Sequence, residues 1–190
     1  MRKDDYARVL DYLPKGKSEV PPHKRKPLVQ AVGEKYFSIL ELCPKEGEAF
    51  ELGDRVYIGD GPREKIDHIE RRIKHEWLTP TAKSELSYVL TVIIDSGEKD
   101  FVDFYNTAGT ISTRQHKLEI LPKIGRRYRE EILQEREIQP FQSFADMRGR
   151  LKNMPDPVKV IVDKIIEELK GESKYYLFAS MTDDSQRKHG

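Results

Sequence analysis

LEILPKIGRRYREEILQEREIQPFQSF, residues 118–144, interrupts a helical pattern with a Pro/Gly turn and a run of arginines. An apolar pattern through Leu118 and Leu121 is broken by Pro122-Lys123-Ile124-Gly125. Arg126, Arg127 and Arg129 follow at once. A Pro/Gly turn between two periodic segments predicts two helices, one ending at Leu121 and one over residues 126–136. Thr110, Ser112 or Thr113 can cap the first of them. Gly125 suits the turn because it has no Cβ to clash. The first N–H groups of the second helix lack intrahelical partners, and the helix dipole makes that end positive. A phosphate fits there, and Arg126 and Arg127 can add charge-assisted hydrogen bonds. The plainer alternative is a packing turn with arginines on a solvated face.

Downstream, Leu118/Leu151, Leu121/Met154, Pro122/Pro155, Ile132/Ile165 and Leu133/Ile166 match at a single offset. Asp156 reads as an N-cap with Pro157 at the first helical position. Val158, Ile161, Val162, Ile165, Ile166 and Leu169 form an apolar stripe. Val158 stands at the Gly125 position and Val162 at the Arg129 position, so the first turn is the phosphate candidate and its repeat is structural. Leu121-Pro122, Ile124-Gly125, Ile132-Leu133, Arg136 and Phe141-x-Ser143-Phe144-x-Asp146 resemble the helix-hairpin-helix motif of non-specific DNA- and RNA-binding proteins. Two departures stand out: Lys123 replaces the usual glycine, and Arg129 replaces a small residue. The resemblance implies an all-α tandem helix-hairpin-helix domain over residues 110–178. Its nucleic-acid contacts would be Lys123, Ile124, Gly125, Arg126, Arg127 and Arg129.

Toward the N-terminus, residues 6–13, 28–32, 36–43, 55–58 and 66–73 read as short strands separated by Gly-rich turns. Together they predict a small closed or partly open OB-like β-barrel over residues 1–78, and hence an α+β chain. Such barrels bind single strands through aromatic and basic groups. Tyr36, Phe37 and Tyr57 are candidate aromatics, and Lys24, Arg25, Arg55, Arg71 and Arg72 a candidate basic face. Connecting helices fill residues 79–109. Thr79 caps the first, Pro80 starts it, and Leu86, Val89, Leu90, Ile93 and Ile94 recur at helical spacing up to Gly97. Residues 99–106 predict a second. Residues 179–190 are polar and expected to be a disordered tail.

The 190 residues are 37% hydrophobic and 35% charged, yet the formal net charge is only +1. Grip on nucleic acid by bulk charge is thereby excluded, and local basic patches must supply it. The single cysteine, Cys43, cannot form an internal disulfide, which suits the cytoplasm. It reads as a small buried hydrophobe. No apolar run approaches the roughly 18 residues of a membrane span, and the N-terminus lacks a signal-peptide core. There is no P-loop or GxGxxG. His68 and His75 flank acidic residues, but no Cys/His/Asp set has the sequence spacing of a metal site. Met154-Pro155-Asp156-Pro157 is better explained by capping than as a glycosylase loop. Neither an enzyme nor a cofactor is expected.

The whole arrangement resembles an archaeal family, domain of unknown function 655. The carriers are Ala7-x-Val9-Leu10-Asp11-Tyr12-Leu13-Pro14, Leu40-Glu41-Leu42-x-Pro44-Lys45, Val56-Tyr57-Ile58-Gly59, Lys65-Ile66-Asp67-His68-Ile69-x-Arg71-Arg72-Ile73, Ala82-Lys83-Ser84-Glu85-Leu86, Phe104-x-Asn106 and Thr113-Arg114-x-His116-x-Leu118. The resemblance implies a barrel followed by helix-hairpin-helix units and a role near RNA or the translation apparatus. The expectation is a non-catalytic binder of the phosphate backbone of RNA, or of DNA. Ribosomal or RNA-processing proteins are further candidate partners, and a membrane is not. The alternatives are a protein-docking adaptor and, with less support, a nucleic-acid-modifying enzyme.

Overall fold

The computed structural model describes residues 3–180. Its contacts divide the chain into two units, Met1–Val89 with Glu167–Gly190, and Leu90–Ile166. The division falls within the helix that begins at Pro80, rather than ahead of it.

In the first unit, β1 (Tyr6–Leu13), β2 (Leu28–Gly33), β3 (Ile39–Pro44), β4 (Arg55–Tyr57) and β5 (Ile66–Arg72) form one sheet. The order is β4-β1-β2-β3-β5 and every pairing is antiparallel. β4 and β5 are the two edges and do not pair, so the sheet is a curled half-barrel and not a closed barrel. Bulges at Val9/Asp11, Glu41/Leu42 and Cys43/Pro44 accompany the curl, since a bulged strand bends and twists more strongly. Ala7, Val9, Val29, Ala31, Leu40, Leu42, Val56 and Ile66 form the core on one face. β2 is buried at every residue, so its other face must be covered as well.

That other face carries polar groups. Gln30 is fully buried; its amide donates to Trp77 O (3.1 Å) and to Glu41 (3.3 Å), and accepts from Thr79 N–H (2.9 Å). The buried Glu41 is also paired with Lys17 and with Arg71 (2.7 Å). Thr79 donates its hydroxyl to Asp11 (2.6 Å), and the same oxygen accepts from Ala82 N–H (3.1 Å). It is therefore the N-cap of α1 (Pro80–Ser96), as the sequence predicts. The 3-10 turn His75–Trp77 leads into it. At the far end of the unit, buried Glu168 accepts the N–H groups of Leu177, Phe178 and Ala179. The expected tail thus starts too early: Ala179 is buried, and residues 181–190 lie outside the described residues.

The second unit contains α2 (Glu98–Thr107), β6 (Thr110–Ser112), β7 (Gln115–His116), α3 (Lys117–Ile120), α4 (Arg126–Ile138), α5 (Phe144–Arg150) and most of α6 (Pro157–Leu169). The expectation of an all-α domain is corrected here. Residues 110–116 form a two-stranded hairpin, so the helix expected to run to Leu121 is the single turn α3. Thr110, Ile111 and Thr113 are β-branched and favour the extended form. The cap is His116, whose Nδ1 accepts from Leu118 N–H (3.1 Å), and not Thr110, Ser112 or Thr113. Tyr105, fully buried, donates to Pro157 O (2.8 Å). Asn106 bonds both the N–H and the carbonyl of Phe141. Arg136 donates to the carbonyls of Tyr105 and Ala108, at the end of α2. Ser143 caps α5 through Asp146 N–H (3.0 Å), as predicted.

Replacing Gln30 with alanine orphans Thr79 N–H and the Trp77 carbonyl. It should lower stability by about 1–3 kcal/mol, read as a lower urea midpoint with an unchanged slope. A change under about 0.5 kcal/mol, the level of ordinary surface substitutions, would show that the network is dispensable.

Candidate nucleic-acid interface

The turn between α3 and α4 is built from local bonds. Leu121 N–H bonds Leu118 O and Ile124 N–H bonds Leu121 O, each at 3.2 Å. Leu121 and Ile124 are buried beneath it, while Lys123 and Gly125 are exposed. The left-handed residue is Lys123, at φ +64°. Gly125 is extended, at φ −89° and ψ −172°, and a Cβ there would meet nothing within 4 Å. The glycine does not supply the turn conformation; the residue that stands where the motif has glycine does.

Gly125 is the N-cap of α4 and offers no side chain to the helix, and no acidic residue lies in the first turn. The leading N–H groups of this 13-residue helix therefore keep their positive end open. Arg126 is exposed and has neither ion pair nor hydrogen bond among the described residues. Arg127 pairs with Glu131 (3.1 Å) but remains 73% exposed. Arg129 differs: it bridges Glu119 of α3 (3.1 Å) and Glu130, and its side chain is only 21% exposed. Its role is to tie α3 to α4.

The repeat is chemically closed. Asp156 Oδ1 accepts the N–H groups of Val158 and Lys159 at 3.1 Å each. Arg148 donates to the same carboxylate at 2.5 Å. Burial pushes the Asp156 carboxyl up, but the bonds from Arg148, Lys159 and Val158 outweigh it and hold it below the usual range. A protein carboxylate thus occupies the helix start that the first turn leaves open. The two starts also fall out of register: the matched side chains pair Gly125 with Val158, yet α6 begins before Val158.

The candidate basic residues of the sheet are not brought to one place. Arg55 lies on β4, at one edge, forked onto Glu34 (2.9 and 3.0 Å) with its guanidinium 3.6 Å from the Tyr6 ring centroid. Arg71 and Arg72 lie on β5, at the other edge. Arg71 is held by Glu41 and lies 5.7 Å from the ring of Trp77, itself half exposed. Arg72 donates to Ser38 Oγ. Arg25 donates to the carbonyls of Val20 and Ser18 and so shapes its own loop, with Lys24 exposed beside it. Of the candidate aromatics Phe37 is buried, and Tyr36 and Tyr57 are half-buried.

Strand pairing also assembles a group that linear spacing hides. Cys43 of β3 lies opposite His68 of β5, two residues before Glu70. Their donor atoms lie within 4.8 Å of one another. Cys43 donates to Glu70 (3.3 Å), and His68 bridges Glu70 (3.0 Å) and Asp67 (2.7 Å). These are the residues that could hold a divalent metal, with Asp67 orienting the imidazole. Burial, and then Glu70, push the Cys43 thiol up to about 11, so a metal would have to displace its proton. The expectation of no metal-like set rests on spacing along the chain, and the pairing of β3 with β5 brings such a set together.

A curled antiparallel sheet of five strands, together with six helices among the described residues, defines an α+β protein. Residues 3–180 match the family described as "Protein of unknown function (DUF655)", and the chain belongs to that family. It is 47% identical over 177 residues to Uncharacterized protein MJ0038 of Methanocaldococcus jannaschii, spanning 92% of this chain and 79% of that relative. The crystal structure of Af1531 from Archaeoglobus fulgidus, of the same family, is similar with a TM-score of 0.88 and 45% identity. That match covers 93% of this chain and all of the other.

Two measurements test this geometry. By NMR titration His68 should titrate above the ordinary histidine range, because Asp67 and then Glu70 bond its charged form. His75 and His116 should titrate below it, because burial and neighbouring cations oppose their charging. The His68 contribution to stability is present below its unfolded value and lost as pH rises through its folded one. For His75 and His116 the sign reverses: stability is lost as pH falls through the ordinary range, near 6.5. Separately, Lys123→Gly should raise stability by about 1 kcal/mol by relieving a left-handed side-chain residue. An unchanged or lower denaturation midpoint would mean that the lysine stabilises the turn by other contacts.

Proposed function

We propose that this protein binds single-stranded nucleic acid, RNA in the first instance, by its phosphate backbone at the turn from Lys123 to Arg127. The observation that carries the reading is the contrast between two related helix starts. At α6 the leading donors are filled by Asp156 and its partner Arg148. At α4 Gly125 leaves them open, beside the unpaired Arg126 and the exposed Arg127. On this reading the two segments are helix-hairpin-helix units, with the single turn α3 as the first helix of one and the seven-residue α5 as the first helix of the other. Lys123, Ile124 and Gly125 shape the approach, Arg126 and Arg127 supply charge, and Arg129 positions the turn.

Support for a single strand comes from the first unit. A curled five-stranded sheet is the framework of OB-type binders, and the exposed Trp77 with Arg71 beside it offers a stacking surface for a base. Contacts to phosphate carry no sequence information, so binding should be sequence-tolerant.

The test is a salt titration of binding to unrelated RNA and DNA oligomers. One turn engages about two phosphates, so its share of the slope of log affinity on log salt is roughly −1.4 for a single strand. Arg126→Ala with Arg127→Ala should weaken binding equally across sequences and remove that share. Stability should change little, since both residues are exposed. Equal affinities and slopes in the two proteins would reduce the turn to a packing element.

A further inference from the structure

Within the first unit, a cleft of about 780 Å³ opens between the end of β5, the start of α1 and the chain that follows α6. That volume is too large for a bare ion and matches the usual size of small organic ligand sites. Its cations come from three separate stretches: Arg72 and Lys74, then Lys83, then Lys170. The ammonium groups of Lys83 and Lys170 have neither ion pair nor hydrogen bond among the described residues. The opposing carboxylates are Glu76, Glu168 and Glu172. Of these Glu168 is engaged by the N–H groups of Leu177, Phe178 and Ala179. The lining also holds Ser180, whose Oγ is buried with no hydrogen-bond partner among the described residues. A buried hydroxyl left unpaired costs free energy.

We propose that this cleft is a binding site for a phosphate monoester on an organic group of nucleotide size. Lys83 and Lys170 neutralise the phosphate, Arg72 and Lys74 border it, and Ser180 Oγ donates to one of its oxygens. Phe37, Ile73 and Leu169 in the same lining give the organic group an apolar wall. The imidazole of His75 reports the local field. Burial, and then Lys170 and Lys83, hold it below the usual histidine range, with Glu172 acting in the opposite sense. A dianion seated between the lysines reverses that field and raises the affinity of His75 for its proton. Glu76, Lys74 and Arg72 share the lining and act on both states alike.

The site lies wholly in the first unit and is independent of the α4 turn, so either reading can fail alone. The experiment uses the full chain, with AMP, adenosine and inorganic phosphate as probes, followed by calorimetry and by the His75 ring signals. AMP should bind at least tenfold more tightly than adenosine and than inorganic phosphate, and should move the His75 titration upward. Lys83→Ala with Lys170→Ala should lose tenfold or more in AMP affinity, and Ser180→Ala severalfold. Unchanged denaturation midpoints in both variants will separate lost binding from lost folding. A trinucleotide RNA with a 5′-phosphate, set against its 5′-hydroxyl form, identifies the source. Competition by the phosphorylated form alone assigns the site to an RNA end, and competition by neither assigns it to a free phosphate ester. Equal affinity for AMP and adenosine, an unmoved His75, or full affinity in the double-lysine variant would overturn the proposal.

Discussion

The first unit depends on one buried amide. Gln30 sits in the middle of β2, a strand with no exposed residue, and cannot reach water. An unpaired amide there would cost several hydrogen bonds' worth of stability, so its partners are obligatory. Those partners are the backbone at Trp77 and Thr79 and the carboxylate of Glu41. The amide therefore dictates where the chain leaves the sheet and where α1 begins. Glu41 extends the same logic outward. As a buried charge it requires cations, and Lys17 and Arg71 are drawn to it. The position of Arg71, and through it the setting of Trp77, follows from a buried carboxylate directly opposite on the neighbouring strand.

The second unit is organised by helix ends. His116, Gly125, Ser143 and Asp156 stand at the starts of α3, α4, α5 and α6. Three of these residues satisfy leading N–H groups with their own side chains. Gly125 cannot, and α4 is left with its dipole exposed beside Arg126, whose side chain has no partner among the described residues. Arg136 and Arg150 act at the opposite ends, donating to carbonyls at the C-terminal ends of α2 and α4.

The two candidate anion sites differ in how they could be found. The α4 turn is contiguous, so its chemistry is visible in a quoted string of residues. The cleft is assembled from Arg72, Lys83, Lys170 and Ser180, which are far apart in the chain. Nothing local marks any of them, because a lysine that faces a cleft and a lysine that faces water look alike in sequence. The Cys43–His68–Glu70 group is an intermediate case: both strands are legible, but β3 pairs with β5 although β4 intervenes in the chain, and its register is shifted by two bulges. Without the bulges, no counting of residues places Cys43 opposite His68.

Local pattern in the sequence was enough for the five strands, save that β3 starts at Ile39 and not at residue 36 because Phe37 is left-handed, for the capped starts of α1, α5 and α6, and for the apolar stripe of α6. These follow from alternation, from helical periodicity and from capping residues whose partners lie within three positions. Tertiary structure alone decided the rest. An open sheet rather than a barrel depends on whether the edge strands β4 and β5 meet, a contact no local pattern encodes. The β6–β7 hairpin depends on β-branched residues outcompeting weak caps, and the left-handed turn at Lys123 on the burial of Leu121 and Ile124 to either side. Whether an arginine is available to a ligand was likewise beyond local reading. Arg55, Arg71 and Arg129 have distant carboxylate partners while Arg126 has none, and such pairing is set by where the chain brings the carboxylates.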